Sequence, residues 1–164
     1  MPTGNMRLCD ASDRDRMAAI INRAAERYRG VIPADRWRQP YMPDTELDRE
    51  IASGVVFHGF EEEGRLLGVM GIQAVDDVHL IRHAYVLPET QGRGIGGQLL
   101  QRLVAQCSTP ILVGTWTAAS WAIGFYRRNG FKMADDDEIP VLLRRYWNIP
   151  ERQIETSAVL ARQP

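Results

Sequence analysis

The seven residues Gln91-Gly92-Arg93-Gly94-Ile95-Gly96-Gly97 constrain this chain more than any other stretch. They stand between an apolar run that Pro88 stops and a helical pattern with Ile95, Leu99, Leu100, Leu103, Val104 and Cys107 on one face. A helix begins with four backbone N–H groups that have no partner inside it, at the positive end of its dipole. Small residues there leave those donors open, and a phosphate or pyrophosphate suits both the donors and the field. A tight turn uses one or two glycines for positive φ, whereas here four fall within six positions.

Two phosphate-loop readings fail on context. Gly92, Gly94 and Gly97 fit GxGxxG, but the dinucleotide fold sets that loop after its first strand, with an acidic residue about 20 positions on. Here several elements precede the loop, and the next acidic residue after Glu89 is Asp135. A Walker loop is excluded because no Gly-Lys-Ser/Thr occurs. The acid-free stretch between Glu89 and Asp135 holds Arg93, Arg102, Arg127, Arg128 and Lys132. That bias favours a polyanionic ligand, or reflects chance in an Arg-rich chain.

The length of 164 residues fits a single domain spanning positions 1–164. Twenty basic against 21 acidic residues, for a net charge of −1, exclude a strongly cationic nucleic-acid binder or a polybasic membrane protein. No apolar run approaches the roughly 18–20 residues of a spanning helix, and Met1-Pro2-Thr3-Gly4-Asn5 lacks the pattern of a signal peptide. Cys9 and Cys107 make no disulfide framework, so a reducing, cytoplasmic setting is expected.

Around the loop, the pattern predicts a first strand at Met6–Asp10 and a helix capped by Ser12, with Met17, Ile20, Ile21, Ala24, Ala25 and Tyr28 at helical spacing. Thr45-Glu46-Leu47-Asp48 has the form of a capping box opening a second helix. Strands follow at 55–61 and 66–75, joined by a hairpin at Glu63-Gly64, then at 78–86 after Asp76-Asp77. Beyond the loop come a strand at 111–115, a helix from about Ala118 to Asn129 stopped by Asn129-Gly130, and a strand opening at Phe131. A helix at 139–146 and a last strand alternating through Ile154, Thr156, Ala158 and Leu160 complete a mixed α/β sheet domain.

Val86-Leu87-Pro88-Glu89-Thr90-Gln91-Gly92-Arg93-Gly94-Ile95-Gly96 resembles the acyl-CoA loop of the GNAT superfamily of N-acetyltransferases. About 25 residues on, Ala122-Ile123-Gly124-Phe125-Tyr126-Arg127-Arg128-Asn129-Gly130-Phe131 resembles the second motif of that superfamily, a helix ending in Tyr-x-x-x-Gly-Phe. The resemblance covers roughly residues 6–133. It implies a mostly antiparallel central sheet flanked by helices, with a splayed parallel strand pair, 78–86 and 111–115, holding acyl-CoA. It also implies transfer of an acetyl group from acetyl-CoA to a primary amine, on a small molecule or a peptide, by direct attack on the thioester. The backbone of Tyr85, Val86 and Leu87 is then expected to pair with the pantetheine arm. The N–H groups of Gln91, Gly92, Arg93, Gly94, Ile95, Gly96 and Gly97 are expected to hold the pyrophosphate, and a backbone N–H near Val86 to stabilise the oxyanion. Many relatives carry Asn seven residues before the tyrosine; Ala119 stands there, and the neighbouring Ser120 is the candidate substitute.

Tyr126 matches the family's tyrosine and is the expected acid for the leaving thiolate; packing beside Phe125 is its alternative role. The base stays open between His83, which period-two spacing sets on one strand face with His79 and Tyr85, Glu89, and water. Tyr28, Trp37, Tyr41 and Trp116 are the candidate acceptor-pocket residues, or anchors of an irregular, proline-bracketed loop. The helix at 139–146, ending in Tyr146-Trp147, is expected to wall that pocket or to form a homodimer contact.

No metal is expected: His79 and His83, four apart on a strand, stand roughly 13 Å from each other, and the cysteines lack ligand spacing. Cys107 lies on an apolar helix face and is no nucleophile candidate, and interleaved aromatics on a basic stripe, the mark of a nucleic-acid binder, are absent. A non-catalytic acyl-CoA sensor or interaction module remains as the alternative from another class.

Overall fold

Two tight turns fold the apolar runs between Val55 and Val86 into a meander. The first uses Glu63 and Gly64 (φ +52° and +76°) and the second uses Asp76 (φ +50°), left-handed conformations that match the twist of antiparallel strands. Strands β2 (Val56–Glu62), β3 (Arg65–Val75) and β4 (Val78–Val86) pair antiparallel in sequence. In this computed structural model, which describes residues 3–164, β1 (Asn5–Leu8) pairs with β2 at one edge. β5 (Ile111–Trp116) lies parallel to β4, and β7 (Ser157–Arg162) and β6 (Lys132–Met133) extend the sheet beyond it. The resulting order, β1-β2-β3-β4-β5-β7-β6, has one parallel pair inside a mostly antiparallel sheet. Met1 and Pro2, part of the N-terminal stretch considered for leader character, lie outside the described residues.

Helices α1 (Arg14–Ala24), α2 (Asp44–Ala52), α3 (Ile95–Ala105), α4 (Ser120–Arg128), α5 (Glu138–Tyr146) and the one-turn α6 (Glu151–Ile154) flank the sheet. A 3₁₀ turn, Ala25–Tyr28, continues α1 and delivers Tyr28 toward the sheet. The main core joins Met17, Ile20 and Ile21 of α1 with Leu99, Leu100 and Leu103 of α3 through the strands. Each of these leucines, fully buried, contributes roughly 1.5–3 kcal/mol. A second core packs Ile139, Leu143 and Tyr146 of α5 on Leu80, Leu112 and Val159. β4 buries Ile81 in one core and Leu80 in the other, so both of its faces are covered there.

Two features of β4 shape the site. Its pairing with β5 covers only His79–Ile81 against Ile111–Val113, so the two strands part beyond Ile81. A bulge also interrupts its pairing with β3: Val69 faces Tyr85, yet Gly71 faces Arg82. His83 takes φ +55° there, and at Gly71 a Cβ would stand 2.7 Å from the Arg82 carbonyl oxygen, an approach only glycine allows.

Four local expectations are corrected. Asp10, not Ser12, caps the first turn: its carboxylate accepts the Ser12 N–H at 2.8 Å, and Asp13 accepts the Asp10 N–H at 2.9 Å. Thr45 opens no capping box, since α2 begins at Asp44 on Pro43, whose extended backbone lets its carbonyl accept the Glu46 and Leu47 N–H groups. Ile154 ends a helical turn that Pro150 starts, and the last strand begins only at Ser157; three alternating residues do not separate a buried helix end from a strand. His79 does not share its side of the sheet with Tyr85, because the bulge shifts the alternation between them.

Candidate active site

The glycine loop opens onto a cleft of about 590 Å³. Gly92 and Gly94 hold φ values of +83° and +81°, and Gly94 is the N-cap of α3 with no side chain to occupy its first N–H groups. A Cβ at Gly92, Gly94 or Gly97 would meet nothing within 4 Å, so these positions face open space, whereas Gly96 packs against the Phe125 ring. Gln91, Ile95 and Gly96 also line the cleft, with Tyr85 and Val86 on its strand side and Tyr126 on its helix side. The donor set and the open space suit a phosphate ester.

Val86 is turned toward that opening. Leu87 donates its N–H to the Leu67 carbonyl at 2.9 Å, which makes Leu87 and Leu67 a hydrogen-bonded pair across β3 and β4. In an antiparallel ladder the next residue points its N–H and C=O the other way. Val86 therefore presents both groups to the gap between β4 and β5, where Gln91 Nε2 meets its carbonyl at 3.2 Å.

Three expected cleft residues stand apart from it. Leu87 is buried in the main core, Arg93 is paired with Glu62 at 2.5 Å, and Ser120 is exposed on the first turn of α4. Arg27, Trp121 and Phe125, which the motifs did not single out, do line it, and the Arg27 guanidinium lies 4.2 Å from the Trp121 ring centre. Trp121 and Phe125 are four apart on α4, a helical spacing that was available as a signal.

Tyr126 packs edge-on against Phe125 and Phe131, with ring centres 5.1 and 5.5 Å away. Burial pushes its phenol well above the ordinary tyrosine value, which keeps the O–H protonated at neutral pH.

A second cavity, of about 450 Å³, lies beyond Tyr85. Tyr28, Trp37, Tyr41 and Trp116 all line it, as does Trp147 at the end of α5. Tyr41 links these rings: Tyr28 and Trp37 lie 5.4 and 5.7 Å from it, and Trp116 Nε1 donates to its hydroxyl at 3.1 Å. Tyr28 stands edge-on to Tyr85 at 6.4 Å, and its own phenol is pushed up to about 12 by burial. Tyr28 and Tyr85 are the residues common to both cavities.

Of the candidate bases, His83 lines this second cavity, stacked on Phe57 at 6.1 Å, with its Nε2 3.2 Å from Glu50 Oε1. His79 is elsewhere, its Nδ1 2.6 Å from the Thr109 hydroxyl. Glu89 lines neither cavity and is ion-paired with Arg65 and Arg23 at 3.0 and 3.2 Å. Among the described residues, the carboxylates of Asp135, Asp137 and Glu138 come within 4.8 Å of one another, all exposed. No described helix is long and apolar enough to cross a membrane.

A mixed sheet that parts at one parallel strand pair, with a glycine-rich helix start at its mouth, is the GNAT fold. The PaiA N-acetyltransferase of Thermoplasma acidophilum, solved in complex with coenzyme A, superposes with a TM-score of 0.74 at 16% identity, covering 99% of this chain and 100% of that one. The ribosomal-protein-S18-alanine N-acetyltransferase of Escherichia coli gives 0.70 at 16% identity over 98% and 93%. A GNAT family acetyltransferase of Brucella melitensis in complex with acetyl-CoA gives 0.61 at 23% identity over 79% and 82%. No protein of curated function matches the sequence. The family model for the acetyltransferase (GNAT) domain matches residues 53–133, which run from the end of α2 through β6 and include both cavity-forming motifs. Residues 53–133 thus belong to the GNAT acetyltransferase family, and the whole chain has its fold.

Proposed function

We propose that this chain, acting as a single domain, is an N-acetyltransferase that moves an acetyl group from acetyl-CoA to a primary amine by direct attack on the thioester. One observation carries the reading: Tyr28 and Tyr85 border both cavities, so a phosphate-binding cleft and an aromatic cavity meet at the tip of the β4–β5 gap. A thioester held at that junction is open to an amine from the other side.

In this reading the N–H groups of the loop from Gln91 to Gly97 hold the pyrophosphate, and the Val86 backbone lies along the pantetheine arm. The Val86 N–H stabilises the developing oxyanion. Tyr126, kept protonated at neutral pH by burial, gives its proton to the departing thiolate, and His83 takes a proton that the amine loses. Tyr28, Trp37, Tyr41 and Trp116 enclose the acceptor. The E. coli neighbour is named for an alanine of a ribosomal protein, which supports amine acceptors as the substrate class, small or peptidic.

Calorimetric titration with acetyl-CoA, with NAD as control, followed by thiol release over an amine panel, tests the proposal. Acetyl-CoA binding without an NAD response, and thiol release that depends on an amine, are expected. Tight acetyl-CoA binding with no transfer to any amine would identify a sensor instead.

A further inference from the structure

Three carboxylates line the aromatic cavity, and they are not equivalent. Asp35 gives both oxygens to Arg152, at 3.2 and 3.4 Å, with its side chain 58% exposed. Glu46 is held by Arg38, an exposed residue of the preceding loop, and is itself 28% exposed. Glu50 is the most buried at 18%, and it reaches β4 beside Tyr85, the wall of the thioester cleft. Arg82 Nη2 at 3.1 Å and His83 Nε2 at 3.2 Å both approach its Oε1. Glu50 lines the cavity, and among the described residues no hydrogen bond falls on its Oε2, which keeps its acceptor capacity. The positive φ of His83 and the bulge bring consecutive side chains, Arg82 and His83, onto this one carboxylate. Both contacts favour the ionised form and hold the carboxyl below its ordinary range despite burial.

We propose that Glu50 Oε2 binds the ammonium group of the acceptor, so that the substrates are alkylamines that are cations at neutral pH. This rests on reading the aromatic cavity as the acceptor site. The surrounding rings suit the apolar body of such an amine and add cation–π attraction to its head. The ammonium, held by Glu50, passes one proton to the His83 imidazole beside the Glu50 carboxylate. The freed lone pair forms the C–N bond as the C–S bond breaks, the second proton of that nitrogen leaves to solvent as the amide forms, and Tyr126 protonates the thiolate and takes a proton back from solvent. Glu50 is thus a substrate-binding residue.

The test compares wild type, Glu50→Gln and Glu50→Asp with n-butylamine, an ammonium at pH 7.5, and 2,2,2-trifluoroethylamine, mostly uncharged at that pH. Loss of a charge-assisted contact raises KM for butylamine about tenfold or more in Glu50→Gln. KM for trifluoroethylamine and for acetyl-CoA is expected to stay within about threefold, on the same principle that only the cation uses the lost contact. Glu50→Asp, which keeps the charge on a shorter arm, falls between, and it carries the test if Glu50→Gln does not fold. Equal effects on both amines, or none on butylamine, overturn the proposal. Calorimetry with butyltrimethylammonium, which keeps the charge and cannot react, supplies a readout besides activity. Its affinity drops about tenfold in Glu50→Gln if the proposal holds and is unchanged if it does not. Absence of transfer by wild type to either amine would instead sink the acetyltransferase reading while leaving this binding comparison decisive for Glu50.

Discussion

Replacing glycines of the loop one at a time separates two roles that sequence alone merges, backbone strain and ligand access. Gly94 and Gly97 both face open space, so neither substitution clashes inside the protein. They differ in backbone: Gly94 sits at φ +81°, whereas Gly97 lies in the first turn of α3. A side chain in the left-handed region costs about 1–2 kcal/mol, and at 164 residues each kcal/mol moves Tm by roughly 2–4 °C. Gly94→Val should therefore lower Tm by about 2–8 °C. Gly97→Val should leave it nearly unchanged, since valine and glycine differ by only about 0.5 kcal/mol in a helix. Both variants put methyl groups into the space proposed for the phosphates. Loss of hydrogen bonds to a charged group, about 1.5–3 kcal/mol, should weaken acetyl-CoA binding at least tenfold in each. Thermal melts and calorimetry on the same preparations read both quantities. A Gly97→Val protein that binds acetyl-CoA as wild type does would refute the assignment of the loop as the phosphate site.

Tyr126→Phe should lower turnover at least about tenfold with acetyl-CoA affinity within about threefold, as loss of a general acid requires; unchanged turnover in a steady-state assay removes Tyr126 from the chemistry. Asp13, fully buried, accepts Arg7 at 2.8 and 2.9 Å, and Asp13→Asn should cost about 3 kcal/mol in urea unfolding by leaving Arg7 short of its partner. A loss under about 1 kcal/mol would assign this pair to the weakly coupled surface class. His58 is 4% exposed, its Nδ1 has no partner among the described residues, and burial and the Arg102 charge lower its pKa. The unfolded chain then binds the proton first, so stability present above about pH 6.5 is lost as pH falls through that value toward the folded pKa. His58→Leu should flatten the stability profile between pH 7 and 5, and an unchanged slope would assign it to other groups.

The parts of the fold that could be read from the chain alone are those whose signals are local. The segment from Val78 to Ala105 was legible because proline ends its strand and glycines open its helix, and Asn129-Gly130-Phe131 marks the end of α4 in the same way. Tyr28, Trp37, Tyr41 and Trp116 stood out as aromatics at irregular positions, and the structure brings all four to one cavity. The bulge at His83 was not legible, because it is a property of register between β3 and β4 and leaves no mark in β4 itself. Glu50 was invisible for a related reason. It reads as a solvated charge on α2, and only the fold sets it against Arg82, 32 positions away. Asp10 and Ser12 illustrate the smallest scale: both are good caps by type, and the choice depends on which of them takes the extended backbone.

The most direct test of the account is mass spectrometry of the acceptor after incubation of the purified protein with acetyl-CoA and a panel of primary alkylamines, with free thiol measured in the same reaction. One acetyl group on the amine is expected for each thiol released, with both products falling together, at least about tenfold, in Tyr126→Phe. Thiol release without an acetylated amine, or acetyl-CoA binding without either product, would contradict it.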